Sequence, residues 1–290
     1  MMLVRRAAWV LILPVLLAVP ASVQTAYGEH LGGSRQGDVT LEGQARLEAP
    51  ARPVGVVPLP DTADGLAALD GSALAPATLR YANTVSMGPR SVDRPTTRTL
   101  AEATHDDTPA WQVVDAAQSG AQTDTLVVDR ASLRPLQRRV GGPASIRLTF
   151  DSTGVRGSLS MRGQTRDVQQ NFDRPVLAST ANMEVALAAL PLEPGYAARM
   201  PVYQLQQQAV ATTTVRVTGT DTIETPAGSF ETYVLEATSD GPGPSGTIHV
   251  RRAAPHHLIR ADLEVTTGGR SVTATKVLQE MTTDGTSQTE

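Results

Sequence analysis

The chain has 290 residues, 25 basic and 29 acidic side chains, a net charge of −4 and no cysteine. That length holds one large or two small domains. Without cysteine there are no disulfides, thiolate metal sites, Cys nucleophiles or lipidated N-terminal Cys, so the fold must rest on core burial. A mildly acidic chain with no basic block also lacks the footprint of a nucleic-acid binder.

Arg5 and Arg6 precede an apolar run at residues 7–19, interrupted only by Pro14, and small residues follow. This is the pattern of a secretory signal peptide. The run is thirteen residues long, short of the roughly 20 that a spanning helix needs. Residues 1–28 are therefore expected to be a signal peptide, with cleavage after Ala21 or near Gly28. The protein is expected to be exported, periplasmic or secreted, and not an integral membrane protein. Residues 29–75 mix Pro50, Pro53, Pro58 and Pro60 with many glycines and few large apolar side chains. Such a segment cannot offset its ordering entropy by burial. It reads as a flexible linker, with one short helical turn in "GLAALDGSAL" at residues 65–74. Residues 283–290 read as a disordered tail.

Over residues 76–282 the pattern turns to period two, in short runs separated by turn residues. Expected strands lie at 79–87, 97–104, 110–118, 125–130, 132–139, 146–150 and 155–161. A second set lies at 196–205, 211–225, 229–238, 246–251, 257–265 and 271–281. No helix-length periodic segment separates consecutive strands, which argues against βαβ crossovers. The expected fold is mainly β: an antiparallel meander curved into an open half-barrel, with one short helix. That helix is "STANMEVALAALPLEPGY" at residues 179–196, capped by Thr180, with Glu184 favoured by the helix dipole. Met183, Leu187 and Leu190 share one stripe, and Pro191 and Pro194 end it. Such a helix plugs an open barrel end or packs on the sheet.

"ETPAGSFETYVLE", residues 224–236, carries the clearest turn chemistry. Pro226 has the φ of a type I turn, and Gly228 supplies the left-handed residue of a three-residue loop with a G1 bulge. This register pairs Thr225 with Ser229, Asp221 with Tyr233, Gly219 with Leu235 and Val217 with Ala237. Val215, Val217, Gly219, Ile223, Tyr233, Leu235 and Ala237 then share the apolar face.

Catalytic patterns are missing. There is no G-x-S-x-G elbow, no P-loop before Lys276 and no G-x-G-x-x-G opening a helix, so no cofactor is expected. The histidines are His30, His105, His249, His256 and His257. Adjacent His256 and His257 point to opposite faces of a strand, so no metal site is expected and the histidines read as solvent-facing. "THDDTPAW" at residues 104–111 reads as a polar loop before Trp111. Lys276 is the sole lysine, and it reads as coding bias because the arginines are scattered.

Three segments carry a family resemblance: "TLVVDRASLRPLQRR" (125–139), "LPLEPGYAARMPVY" (190–203) and "VTGTDTIETPAGSFETYVLE" (217–236). Together they resemble an uncharacterised family of bacterial envelope β-domains with a TPAG[ST]F hairpin. That family looks like the open half-barrels of outer-membrane lipoprotein carriers, where a curved sheet wraps a helix and an apolar cavity. The resemblance implies no catalytic residues, and the missing Cys sets this chain apart from lipidated relatives.

With few aromatics, a sheet of this size leaves its concavity under-filled, which suits a lipid, another apolar molecule or a lipidated envelope partner. The expected lining is Leu126, Val128, Leu148, Phe150, Leu159, Val217, Tyr233, Leu235 and Ile259, with Trp111 as a fluorescent reporter. The alternative is a structural or assembly protein of the envelope that docks partners on exposed strand edges.

Overall fold

The computed structural model describes residues 63–283, apart from Ser179, Gln206, Pro242, Gly268 and Gly269. The expected signal peptide, residues 29–62 of the expected linker, and the tail beyond Thr283 lie outside the described residues. The strands form one large antiparallel sheet that stays open. One edge is β10 (Gln164–Asn171), preceded by β9 (Gly154–Met161), β8 (Ala144–Phe150), β7 (Pro135–Gly141) and β6 (Thr123–Asp129). The order continues through β5 (Thr108–Ala117), β4 (Thr96–His105), β2 (Ala77–Met87) and β16 (Arg270–Thr283). Next come β15 (Leu258–Thr267), β14 (Ser245–Arg251), β13 (Gly228–Ser239), β12 (Ala209–Thr225) and β11 (Ala197–Gln204). The short β3 (Arg90–Asp93) pairs only with β2, and β1 (Ala63–Asp64) adds in parallel to β11. The meander and the half-barrel curvature match the two-residue rhythm of the sequence.

The two ends of the sheet come close without pairing. The chain leaving β10 crosses to the β11 edge, where Leu177 donates to Pro201 O (2.8 Å) and accepts from Tyr203 N–H (2.8 Å). Phe150 of β8 and Phe172 flank the Tyr203 ring at 6.5 Å and 5.3 Å. β10 escapes a periodicity reading because Val168 is its one buried side chain. A polar edge strand of this kind also resists pairing with other chains.

The helix α1 (Thr180–Ala188) lies inside the curve. Its apolar surface is not a single stripe. Met183, Ala186, Leu187 and the following Leu190 pack into one cluster with β12–β16, whereas Ala181, Val185 and Ala188 pack into a second with β4–β9. A helix apolar all round is one that the fold encloses. The alanines let the wall approach closely on the side the stripe ignored. Asn182, fully buried, ties the first turn down: its Oδ1 accepts from Ala178 N–H (2.9 Å) and its Nδ2 donates to Leu133 O (3.2 Å).

Residues 63–75, expected as the end of the linker, pack on the domain instead. Gly65 N–H donates to Arg199 O, Gly71 N–H to Ala131 O, and Leu74 is buried. Gly71 O accepts the indole N–H of Trp111 at 3.1 Å. Backbone pairing with the β11 edge and one indole bond supply what composition does not advertise.

The 224–236 hairpin forms with a different register. Thr225 pairs with Gly228, Glu224 with Ser229, Asp221 with Thr232 and Gly219 with Val234, so Pro226 and Ala227 alone make the loop. Ala227 N–H donates to Thr225 Oγ1 at 3.2 Å and tightens it. The extra residue that turn chemistry assigns to Gly228 appears at Thr218, where the register shifts to Val217–Leu235 and Val215–Ala237. The bulge restores the parity, so Val215, Val217, Tyr233, Leu235 and Ala237 are buried as expected. Gly228 does take a positive φ of 124°.

Candidate functional site

The concave face carries a row of charges across neighbouring strands. Arg98 on β4 and Asp115 on β5 are direct cross-strand partners. The guanidinium grips the carboxylate with Nε at 2.8 Å and Nη2 at 2.7 Å. Next along the row, Asp124 on β6 faces Asp115, and Arg138 on β7 holds it through Nε (3.1 Å) and Nη2 (2.7 Å). Two adjacent carboxylates are tolerated because each has its own guanidinium.

α1 completes the cluster from above. Glu184 accepts from Arg98 Nη1 at 2.5 Å and from Lys276 Nζ at 2.8 Å and 3.1 Å. Lys276, on β16, also sits over the Tyr81 ring, 4.2 Å from its centroid. The Tyr81 hydroxyl donates to Leu258 O at 3.1 Å. Glu184 thus serves as a tether between helix and sheet, not as the dipole partner expected of it.

Burial and pairing pull these groups in opposite directions. Burial opposes the Arg98 charge, yet Asp115 and Glu184 more than offset it and lift its pKa further. Burial alone would raise Asp115, but Arg98 holds its carboxyl below the usual range, helped by Lys276 and Arg138. Lys276 is pushed below the usual lysine range by burial, although Glu184 pulls the other way. Burial raises the Tyr81 hydroxyl, with Arg98 opposing.

Beside this cluster lies a cavity of about 230 Å³ between α1 and the sheet. Met183 and Leu187 form its helix wall, and Val202, Val215, Ile248, Leu258, Ala261 and Ala274 its sheet wall. Arg98, Asp115, Glu184 and Lys276 close its polar end, and Asn83, Arg94, Thr96, Gln204 and Gln207 also line it.

None of the nine residues expected to line a cavity lines this one. Leu126, Val128, Leu148, Phe150 and Leu159 pack into the cluster on one side of α1, and Val217, Tyr233, Leu235 and Ile259 into the other. Alternation identifies inward side chains but not which of them the helix covers. Trp111 is core as well, bonded to Gly71 with the Arg130 guanidinium 5.5 Å from its ring, so it reports on residues 63–75 and not on the cavity. Pro226 keeps its place in the turn, whereas Gly228 opens β13 at positive φ and pairs with Thr225. His256 and His257 are buried, not solvent-facing. Their loop turns inward beneath the helix end, where His256 N–H donates to Ala188 O at 3.0 Å. "THDDTPAW" forms the β4–β5 turn, with His105 Nε2 3.6 Å from the exposed Asp106. Among the described residues, no group of three or more His, Asp or Glu stands ready for a metal.

The charged residues of the site carried a readable signal. Arg98, Asp115, Asp124, Arg138 and Lys276 all stand at inward parity, two residues from the buried Leu100, Val113, Leu126, Val140 and Leu278. A charge at such a position is expensive unless paired, and Lys276 was in addition the sole lysine.

No curated protein matches this chain. Among solved structures it is similar to a candidate exported protein with a YmcC-like fold from Bacteroides fragilis. Identity there is 13%, over 72% of this chain and 96% of the other, with a TM-score of 0.28. A candidate lipoprotein from Parabacteroides distasonis matches at 10% identity over 72% of this chain and 96% of that one, with a TM-score of 0.28. A DUF1329 family protein from Desulfovibrio piger matches at 11% identity over 73% and 88%, with a TM-score of 0.27. The family described as "Protein of unknown function (DUF3108)" matches residues 83–275, the greater part of the open sheet and its enclosed helix, and this chain belongs to it.

Proposed function

We propose that this chain is an exported, non-catalytic β-domain that holds the apolar part of an amphiphile between α1 and the concave face of its sheet. The observation that carries this reading is the aliphatic cavity of about 230 Å³. A dry apolar cavity of roughly 150 Å³ already suffices for a benzene-sized molecule. Export is supported by the n-region and apolar run ahead of residue 28. The non-catalytic reading is supported by the acids of the site: Asp115 and Asp124 are each locked to an arginine and Glu184 to two cations. None of these three acids is left at liberty to move a proton. A polar β10 edge argues against strand docking as the main activity.

Native mass spectrometry of the purified protein is expected to reveal a co-purified amphiphile. Ala274→Trp, which fills the cavity from the half-buried β16 wall, is expected to abolish that adduct while the protein stays folded. An adduct-free wild type that also gains no thermal stability from added short-chain amphiphiles would refute the reading.

A further inference from the structure

The charged end of the cavity says what kind of molecule it accepts. Arg98 spends Nε and Nη2 on Asp115 and Nη1 on Glu184. Lys276 contacts both oxygens of Glu184 and the Tyr81 ring. Two cations and two anions therefore close on each other. Arg138 and Asp124 form a second closed pair beside them. Arg94, half-buried, is the remaining charged side chain of the lining and has an interaction partner of its own.

An anionic headgroup brought into this compartment would find no unpaired cation. It would add one uncompensated charge where screening is weak. A neutral chain adds none and gains apolar contact along Met183, Leu187 and Val215. Building on the amphiphile reading above, we infer that the cavity selects uncharged apolar ligands (alkanols, or acyl chains held in ester or amide linkage) over free carboxylates. Glu184 is the specificity-determining residue, because its carboxylate cancels the charge that Arg98 and Lys276 would otherwise offer to a ligand.

Octanol and octanoate test this by isothermal titration, since they share a chain and differ in headgroup charge. Wild type is expected to bind octanol about tenfold or more tighter at neutral pH. Glu184→Gln leaves Arg98 and Lys276 against Asp115 alone and is expected to invert the preference in favour of octanoate. Lys276→Met leaves Arg98 alone against Asp115 and Glu184, an excess of one negative charge, and is expected to widen the preference for octanol. This arm and the wild type decide the matter should Glu184→Gln fail to fold. Equal binding of the two ligands by wild type, or an unchanged ratio in both variants, overturns the inference while leaving the amphiphile reading standing. No binding of either ligand overturns both.

Discussion

Glu184 and Lys276 offer a test of whether the ion cluster behaves as a buried unit. Their side chains are 11% and 17% exposed, and Arg98 is 5% exposed. At about 3 Å and an effective dielectric of about 20, each contact is worth roughly 5 kcal/mol before desolvation. Desolvation consumes most of that, so the pair adds little over an apolar substitute. Breaking it from one side is different. Glu184→Gln strands a buried cation and is expected to cost about 3–5 kcal/mol. Lys276→Met leaves Glu184 its bond to Arg98 and is expected to cost about 1–2 kcal/mol. The double variant returns the site to neutrality, because Arg98 still holds Asp115. It is expected to be more stable than Glu184→Gln alone, so removing Lys276 changes sign with its background. Urea denaturation of the four proteins, read at constant m-value, measures this directly. Additive costs to within about 0.5 kcal/mol would mean that the two groups do not share one buried network.

Two further outcomes follow from other parts of the fold. Burial, reinforced by the Arg251 and Arg98 charges, depresses His257 to about 4, against an ordinary value of 6.5. Between those values the unfolded chain binds the proton and the folded one does not. Stability is therefore expected to fall by up to about 3 kcal/mol as pH drops from 6.5 to 4, then to level off for this group. His257→Gln should flatten that stretch of the pH–stability curve, and an unchanged slope would count against it. At Gly71 a Cβ would stand 1.8 Å from Arg130 O. Gly71→Ala is expected to lift residues 63–75 from the domain and free the indole, seen as a red-shifted, quencher-accessible Trp111 emission with unaltered sheet content. An unmoved emission would show that the 63–75 contact is not needed to bury Trp111.

Legibility followed the physics of each level. Alternation is local, and it revealed nearly every strand, the meander and the buried members of the 209–239 hairpin. It failed at β10, where an edge strand buries only Val168 and the polar side chains carry no rhythm. Turn chemistry placed Gly228 at positive φ but put the bulge in the wrong strand, because a two-residue loop with a bulge at Thr218 preserves the same buried face. The helix was visible by composition, yet its second apolar side was not. Ala181, Val185 and Ala188 matter only once a wall curves around to meet them. The site was the least legible part. Arg98, Asp115 and Lys276 are remote in sequence and meet through register across β4, β5 and β16. The lone lysine and the charges at inward positions were present in the chain, but their meaning depends on which partner lies opposite.

Where an apolar probe settles in the protein tests the cavity most directly. Methyl-resolved NMR with added octanol is expected to give saturable shifts at Met183, Leu187, Val202, Val215 and Ala274. Methyl groups of Leu126, Leu148 and Leu235, packed elsewhere in the core, should stay put. Saturable shifts confined to those core methyls or to the outer face, or no shifts at all, would contradict the assignment of the cavity as the binding site.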